Sequence, residues 1–545
     1  AALVMLLSPA GAALEEALVA GRWAPYRVAF AGNSPYGNVA VIQVQDQITV
    51  FSSGSAVLTA PDPDIAAVEE RVHLPALFLH QPPRRALVIG GGAGGVLAEL
   101  QRYPLERLDY AELDPLLIRA VQTVSTTLTA AELRDERLHI ALEDGRRFVR
   151  KCADAAGYDL VLINLPPPST LELNRLYTRE FLEQAGACMT AGGVLAIPAP
   201  PARTYMAPAA RDLLAGYAQT LGAVFPHVRA IPADGQTLWL ASREPLDLGV
   251  DELAHRLQAN GLELRTLNGA YLHYLLDEAV VADFYGGLAR GPDVHVNRDG
   301  YPAALRYTLA YESARLAPAL EPFFRGLGQV RWWHLALGVA ALALAGLLVM
   351  RRPAGTLALA VASTGLAGMT ADLLAILAFQ VLLGYMYQQI GLLVAAFMAG
   401  LSLGALAMAA WIGRLRRPWQ ALAFLEAAVA LLMAGLGGVL GLLFLRPAAG
   451  LGENLLLPLL NLVAGALVGL EFPLANHILV SEKAGQARPA GIAASLYAWD
   501  LIGAMVGAVA VATVLLPALG LVETALLVAL CKGASLLVVG RSMLS

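Results

Sequence analysis

Six consecutive positions, Gly90-Gly91-Gly92-Ala93-Gly94-Gly95, follow the apolar run Ala86-Leu-Val-Ile89 and precede Val96-Leu-Ala-Glu-Leu100. Glycines between a strand and a helix allow a tight turn and let backbone N–H groups approach a ligand at the helix N-terminus. A lone glycine run is a weak signal, and its surroundings sharpen it. Glu112 closes the next apolar run about 20 residues on, where a carboxylate can accept both hydroxyls of a ribose. Asp144 and Gly145 follow the third run, where a carboxylate can meet an adenine amino group. The candidate nucleotide-binding residues are therefore Gly90, Gly91, Gly92, Gly94, Glu112, Asp144 and Gly145. Plainer roles compete nearby: Asp114 ahead of Pro115 suits a helix cap, and Glu143 suits a solvated surface.

Such residues need a sheet to hold them. Leu108-Asp-Tyr-Ala111, Leu138-His-Ile-Ala141, Leu160-Val-Leu-Ile163 and Val194-Leu-Ala-Ile197 continue the rhythm of strand, helix, strand expected of βαβ units. Their near-continuous apolar character suits a parallel sheet covered on both faces. Val228-Arg-Ala-Ile231 and Thr237-Leu-Trp-Leu-Ala-Ser242 read as a closing hairpin around Ala233-Asp-Gly235. Upstream, Val39-Ala-Val-Ile-Gln-Val44 and Ile48-Thr-Val-Phe51 alternate as hairpin strands split by Gln45-Asp46-Gln47. The predicted fold is an α/β Rossmann-like, methyltransferase-type domain with a small N-terminal β-domain, followed by an all-α multi-span transmembrane domain. The expected divisions are an N-terminal remnant over 1–25, read as the end of an upstream helix, a β-hairpin domain over 26–80, the nucleotide-binding domain over 81–245, a mixed helical connector over 246–330 and the transmembrane domain over 331–545.

Composition agrees with that division. The chain is 57% hydrophobic and 15% charged, the second figure well below the usual ~25%. Its net charge of -5 provides no electrostatic footprint for nucleic acid. Apolar stretches near Trp332–Met350, Thr356–Phe379, Ile390–Ile412, Trp419–Leu445, Leu455–Val480, Gly491–Leu516 and Gly520–Val539 are long enough to span a bilayer, about seven in all. Gly400/Gly404, Gly437/Gly441 and Gly503/Gly507 have the spacing that lets helices approach closely in lipid. Asp372, Glu426, Glu471, Asp500 and Glu523 fall in or near these stretches, where ionisable groups mark a pathway or a buried partner. Cys152, Cys188 and Cys531 are far apart, without metal or redox spacing, and read as three small apolar side chains.

The chain also resembles the spermidine synthase (polyamine aminopropyltransferase) family, in its membrane-fused branch. The resemblance is carried by Pro83-Arg-Arg-Ala-Leu-Val-Ile-Gly-Gly-Gly-Ala-Gly-Gly95, Ala111-Glu-Leu-Asp114, Glu143-Asp-Gly145 and Tyr158-Asp-Leu-Val-Leu-Ile163, with Ser34-Pro-Tyr-Gly37 and Glu69-Glu70 upstream. Leu173-Asn-Arg-Leu-Tyr-Thr-Arg-Glu-Phe181, Asn297-Arg-Asp299 and Ala395-Ala-Phe-Met-Ala-Gly400 extend it into the membrane segment. It implies S-adenosylmethionine or decarboxylated S-adenosylmethionine as co-substrate, no metal, a small-molecule amine or lipid as acceptor, and a homodimer. The family carries an Asp within its GGGDGG and two more in a D-x-x-D-P segment after the fourth strand. Ala93, Asn164 and Pro167 stand at those positions, and Val57 replaces a family glutamine.

These departures bear on chemistry. Aminopropyl transfer needs an amine, with a pKa of about 10, to be held and deprotonated. An uncharged Asn164 can do neither. The candidate catalytic residues are then Asn164, Glu70 and Tyr177, with Asp62 or Asp64 as further replacements and Tyr36 as pocket lining. Three functions compete: an aminopropyltransferase-like enzyme, an S-adenosylmethionine-dependent methyltransferase-like enzyme, and a non-catalytic nucleotide-sensing domain on a transporter-like bundle. The protein is expected in a bacterial cell membrane. Arg351, Arg352, Arg414, Arg416, Arg417, Lys483, Arg488 and Arg541 all follow odd-numbered spans, and Arg446 alone follows an even one. The positive-inside rule then leaves the nucleotide-binding domain outside the cytoplasm.

Overall fold

The structure is a computed structural model that describes residues 14, 17–19, 21–152, 157–291, 294–349, 352–384, 387–445, 451–482 and 489–544. Most of the expected N-terminal remnant, together with Arg351, Arg446, Lys483 and Arg488, lies outside the described residues. Two compact units form. The first comprises 1–169 and 176–296, and the second 170–175 and 297–545.

The first unit opens with an antiparallel meander: β1 (Arg27–Ser34), β2 (Gly37–Val44), β3 (Gln47–Ser52) and β4 (Ser55–Ala60). Helix α1 (Ile65–Leu77), capped by Asp64, leads into the main sheet. That sheet is built from β5 (Arg85–Ile89), β6 (Arg107–Ala111), β7 (Leu138–Ala141), β8 (Tyr158–Ile163) and β9 (Met189–Ala199), all parallel. The antiparallel hairpin of β10 (His227–Pro232) and β11 (Thr237–Ser242) closes it. Between the strands run α2 (Val96–Gln101), α3 (Pro115–Thr123), α4 (Thr127–Glu132), α5 (Gly145–Lys151), α6 (Arg179–Ala187) and α7 (Pro208–Gly222). Helices α8 (Val250–Ala259), α9 (Gly269–Leu275) and α10 (Glu278–Ala289) follow.

The strand order β10-β11-β9-β8-β5-β6-β7 reverses direction at β5, with β6 on one side and β8 on the other. The carboxyl ends of β5 and β8 therefore border the crevice where open α/β sheets take ligands. One reading of the sequence changes here. Cys152, which caps α5, and Cys188, which caps α6, are disulfide-bonded with Cα atoms 5.8 Å apart. Their sequence separation of 36 hides the pairing in the sequence, and the packing of α5 on α6 creates it.

The second unit begins with the helical turn Leu171–Asn174 and continues through α11 (Ala303–Leu316) and α12 (Glu321–Leu327). The bundle follows: α13 (Trp332–Val349), α14 (Pro353–Leu383), α15 (Tyr387–Trp411), α16 (Pro418–Leu445), α17 (Leu451–Glu482), α18 (Pro489–Ala510) and α19 (Leu521–Leu544). Six described helices are long and apolar enough to cross a membrane, and a seventh span is reached if Pro318–Leu327 and Trp332–Leu348, bent by 88° at the break between them, count as one. Glycines set the closest contacts. A Cβ on Gly400 or Gly404 would lie 2.0 or 2.1 Å from a carbonyl oxygen of α17, and one on Gly465 or Gly469 would strike α15 equally hard. Gly503 on α18 meets the Ala362 carbonyl of α14 in the same way. Small residues thus let helix backbones touch, the packing that apolar spans use.

Charge is buried inside this bundle. The Lys532 ammonium lies 2.7 Å from Glu426 and 3.8 Å from Glu471, all three with essentially no exposure. Thr364 accepts from Lys532 at 2.5 Å and donates to Glu471 at 2.5 Å, so α14, α16, α17 and α19 share one polar knot. A separate contact joins Asn461 to Asp372 at 2.7 Å. Removing the single cation would strand two carboxylates. Lys532→Met should therefore destabilise the detergent-solubilised protein by about 3–5 kcal/mol, read as a lower unfolding midpoint, and an unchanged midpoint would remove Lys532 as the tie between these helices.

Candidate functional site

The glycine turn is held from three directions. The Gly90 amide donates to the Ala111 carbonyl at 2.9 Å, and the Asn164 amide donates to that of Ile89 at 3.0 Å. Gly91 has φ +52°, and a Cβ there would sit 2.7 Å from the Asn164 carbonyl oxygen, so only glycine fits. A Cβ on Gly92 would press into the Tyr110 ring at 2.9 Å. The third support comes from α4. Glu132, fully buried, accepts from the amides of Gly94 at 2.9 Å, Gly95 at 2.6 Å and Ala98 at 3.1 Å. Burial pushes the Glu132 carboxyl above the ordinary range, against the pull of these amides toward the charged form.

Glu112 ends β6 and is nearly buried. It accepts from the Tyr110 hydroxyl at 2.6 Å and from the Asp114 amide at 3.1 Å. Burial raises its pKa, and these two donors lower it only in part. Asp114 accepts from the Leu116 amide at 2.9 Å and so caps α3, while taking a second hydrogen bond from Ser34 at 2.8 Å. Asp144 stands past the end of β7 and caps α5 through the Arg147 amide at 3.0 Å. Gly145 packs on Ile89, where a Cβ would clash at 2.4 Å. Glu143 pairs with Lys151 at 2.5 Å.

Around Asn164 the structure assembles a chain of polar side chains. The Asn164 side-chain amide donates to the Gly91 carbonyl at 2.5 Å, and its oxygen accepts from Arg71 at 3.1 Å. Arg71 also donates to Gln236 at 2.8 Å, and Gln236 donates to Glu70 at 2.9 Å. The Tyr271 hydroxyl closes the chain on Glu70 at 2.7 Å. Burial raises the Glu70 pKa, partly offset by Gln236 and Tyr271. Neighbouring Glu69 is also buried, and burial acts to raise its pKa. The Thr266 hydroxyl and the amides of Leu267, Arg265 and Thr266 outweigh that and bring it below the ordinary range. The Tyr177 hydroxyl donates to the carbonyls of Leu165 at 2.8 Å and Pro166 at 2.9 Å, so it braces the segment after β8.

Of the expected residues, the glycine turn, Glu112 and Asn164 gather at the ends of β5, β6 and β8. Glu70 joins through Gln236 and Arg71. Tyr36 remains in the β1–β2 hairpin. Reading the sequence missed four participants: Glu132, Arg71, Gln236 and Tyr271. Arg71, adjacent to Glu70 on the helix before the glycine turn, was within reach. Glu132 carries no local motif, since 37 residues separate it from Gly95. Glu132→Ala would orphan three amides, a loss of about 1–3 kcal/mol. Hydrogen exchange at Gly94, Gly95 and Ala98 should rise accordingly, and unchanged exchange would show that the turn stands without it.

Residues 66–232 match the spermine/spermidine synthase domain. A polyamine aminopropyltransferase of Nitrosomonas europaea is 32% identical over 252 residues, covering 45% of this chain and 76% of that protein. Putrescine N-methyltransferase 4 of Nicotiana tabacum is 31% identical over 170 residues, covering 31% of this chain and 43% of that one. The crystal structure of the spermidine synthase from Thermotoga maritima aligns with a TM-score of 0.39 at 22% identity, over 48% of this chain and 87% of that chain. On the match to the Nitrosomonas protein, together with the domain match across the glycine turn and its sheet, the chain belongs to the spermidine synthase (polyamine aminopropyltransferase) family.

Proposed function

We propose that the protein is a membrane-bound, spermidine synthase-like protein whose first unit binds an adenosyl group, with Glu112 on the ribose and Asp144 on the adenine, and that it does not carry out ordinary aminopropyl transfer to putrescine. One observation carries this reading. At the position where the family has an acidic residue, Asn164 faces the guanidinium of Arg71 at 3.1 Å. A protonated amine brought there meets a cation instead of an anion. Glu70, the available replacement, is occupied by Gln236 and Tyr271. A second reading, methyl transfer from S-adenosylmethionine, draws support from the relative named as a putrescine N-methyltransferase.

The experiment pairs binding with turnover in the full-length protein. 5′-Methylthioadenosine should bind the wild type, and Glu112→Ala should weaken it about tenfold to a hundredfold. Putrescine with decarboxylated S-adenosylmethionine should give no spermidine. Equal affinity in the two proteins removes the Glu112 assignment. Robust spermidine formation removes the rest.

The first unit lies outside the cytoplasm, in this reading. The segments through which the chain enters the second unit sit at one end of the bundle: Arg175 donates to the Val381 carbonyl at 3.0 Å, and the Gly300 carbonyl accepts from Leu521 at 3.0 Å. Helix α13 runs from that end, where Leu335 and Val339 join the cluster of Leu519 and Leu527, to the other, where Gly346 meets Val538. The far end holds Arg352, Arg414, Arg416, Arg417 and Arg541, and Thr356 bonds Ser542 there at 2.9 Å. Basic loops favour the cytoplasm, which leaves the entry end outside. The Cys152–Cys188 disulfide supports the same side, because such bonds persist in oxidising compartments. An outward unit argues against ordinary transferase turnover, since adenosyl co-substrates are made in the cytoplasm. Protease added to intact spheroplasts should cut the first unit, whereas cutting only after permeabilisation would restore an inward-facing enzyme.

A further inference from the structure

Arg71 presents a physical problem that the fold does not solve internally. Its side chain is largely buried, and burial lowers its pKa, with Asp64 and Glu70 acting on it only through space. Its hydrogen-bond partners are the neutral amides of Gln236 at 2.8 Å and Asn164 at 3.1 Å, and among the described residues it has no ion pair. Nε and Nη1 make those bonds. Nη2 has no partner among the described residues and is not sealed from solvent. Arg71 also lines a small cavity with Val96, Ile163, Asn164, Pro198 and Leu238, at the carboxyl ends of β8 and β9. A half-buried guanidinium with only neutral partners is a cation whose anion is missing. Its planar fork suits a carboxylate better than any other common group of that size.

The glycine turn offers an anion only part of its backbone. The amides of Gly94, Gly95 and Ala98 already serve the Glu132 carboxylate. An anion entering the site is left with Arg71, next to the turn through Asn164, whose side chain bonds Gly91 at 2.5 Å. With the adenine on Asp144 past β7 and the ribose on Glu112 past β6, the reading on which the present step rests, the tail continues along the sheet toward β5 and its turn. We propose that Arg71 binds the carboxylate of an adenosyl amino acid, so that the site selects S-adenosylmethionine and its relatives over decarboxylated forms.

Three probes titrated into the full-length protein test this: 5′-methylthioadenosine, which has no amino-acid tail, S-adenosylhomocysteine, which has one, and decarboxylated S-adenosylhomocysteine, which keeps the amine alone. The wild type should bind S-adenosylhomocysteine at least about tenfold tighter than its decarboxylated analogue. Arg71→Met should abolish that gap while leaving 5′-methylthioadenosine within about twofold of its wild-type affinity. Arg71→Lys, which keeps the charge and loses the fork, should retain part of the gap and guards against a methionine variant that fails to fold. A wild type that binds both tailed ligands equally overturns the assignment, as does a gap that survives in Arg71→Met. Failure of 5′-methylthioadenosine to bind the wild type instead overturns the adenosyl reading, so the two failures are told apart.

Discussion

The three hydrogen bonds from the amides of Gly94, Gly95 and Ala98 to Glu132 decide how the first unit can work. A glycine turn at a helix N-terminus is ordinarily an invitation to an anion. Here the protein supplies its own, delivered by α4, whose capping box between Thr126 and Thr129 fixes where that short helix starts. Those three amides are thereby closed to an anionic ligand group. Asn164 holds the other side of the turn through the Gly91 carbonyl, and its side-chain oxygen holds Arg71. Glu112 is set separately, by Tyr110 and by the Asp114 amide at the start of α3.

Both units match most of their buried charge from within. In the bundle, Lys532 and Thr364 answer Glu426 and Glu471 across four helices. In the first unit, His73 and Glu99 are likewise matched at 2.9 Å, and Glu69 is wrapped by amides. Arg71 stands apart. Natural structures keep such imbalances where a ligand completes them, because a buried charge without a partner is costly at any other time.

How much of this could be read beforehand follows from the range of each interaction. The parallel strands, the glycine turn and the membrane helices are written in short apolar periods, so β5 through β9 and the long helices of the bundle fell near the runs that announced them. Asp114 as a cap is equally local, since its partner is Leu116. Interactions between distant segments left no trace: Glu132 with Gly95, Arg71 with Gln236, and Cys152 with Cys188 each require the fold to bring two elements together. The intramembrane residues show the same divide. Glu426 and Glu471 stood out as costly charges in apolar stretches, whereas Lys532, which pairs with them from the same stretch as Glu523, was not singled out.

The helical turn Leu171–Asn174 belongs to the second unit although the chain on both sides of it belongs to the first. Leu171 packs in the apolar cluster of Leu374, Phe379 and Leu382, and Arg175 bonds the Val381 carbonyl. The chain therefore crosses between units three times rather than once. A single cut in the segment before residue 297 would leave the first unit still moored to the bundle by an internal loop. Neither part can be lifted out as one contiguous stretch of gene: a fragment ending before residue 297 would carry an apolar plug with no socket, and the bundle alone would keep a socket with no plug.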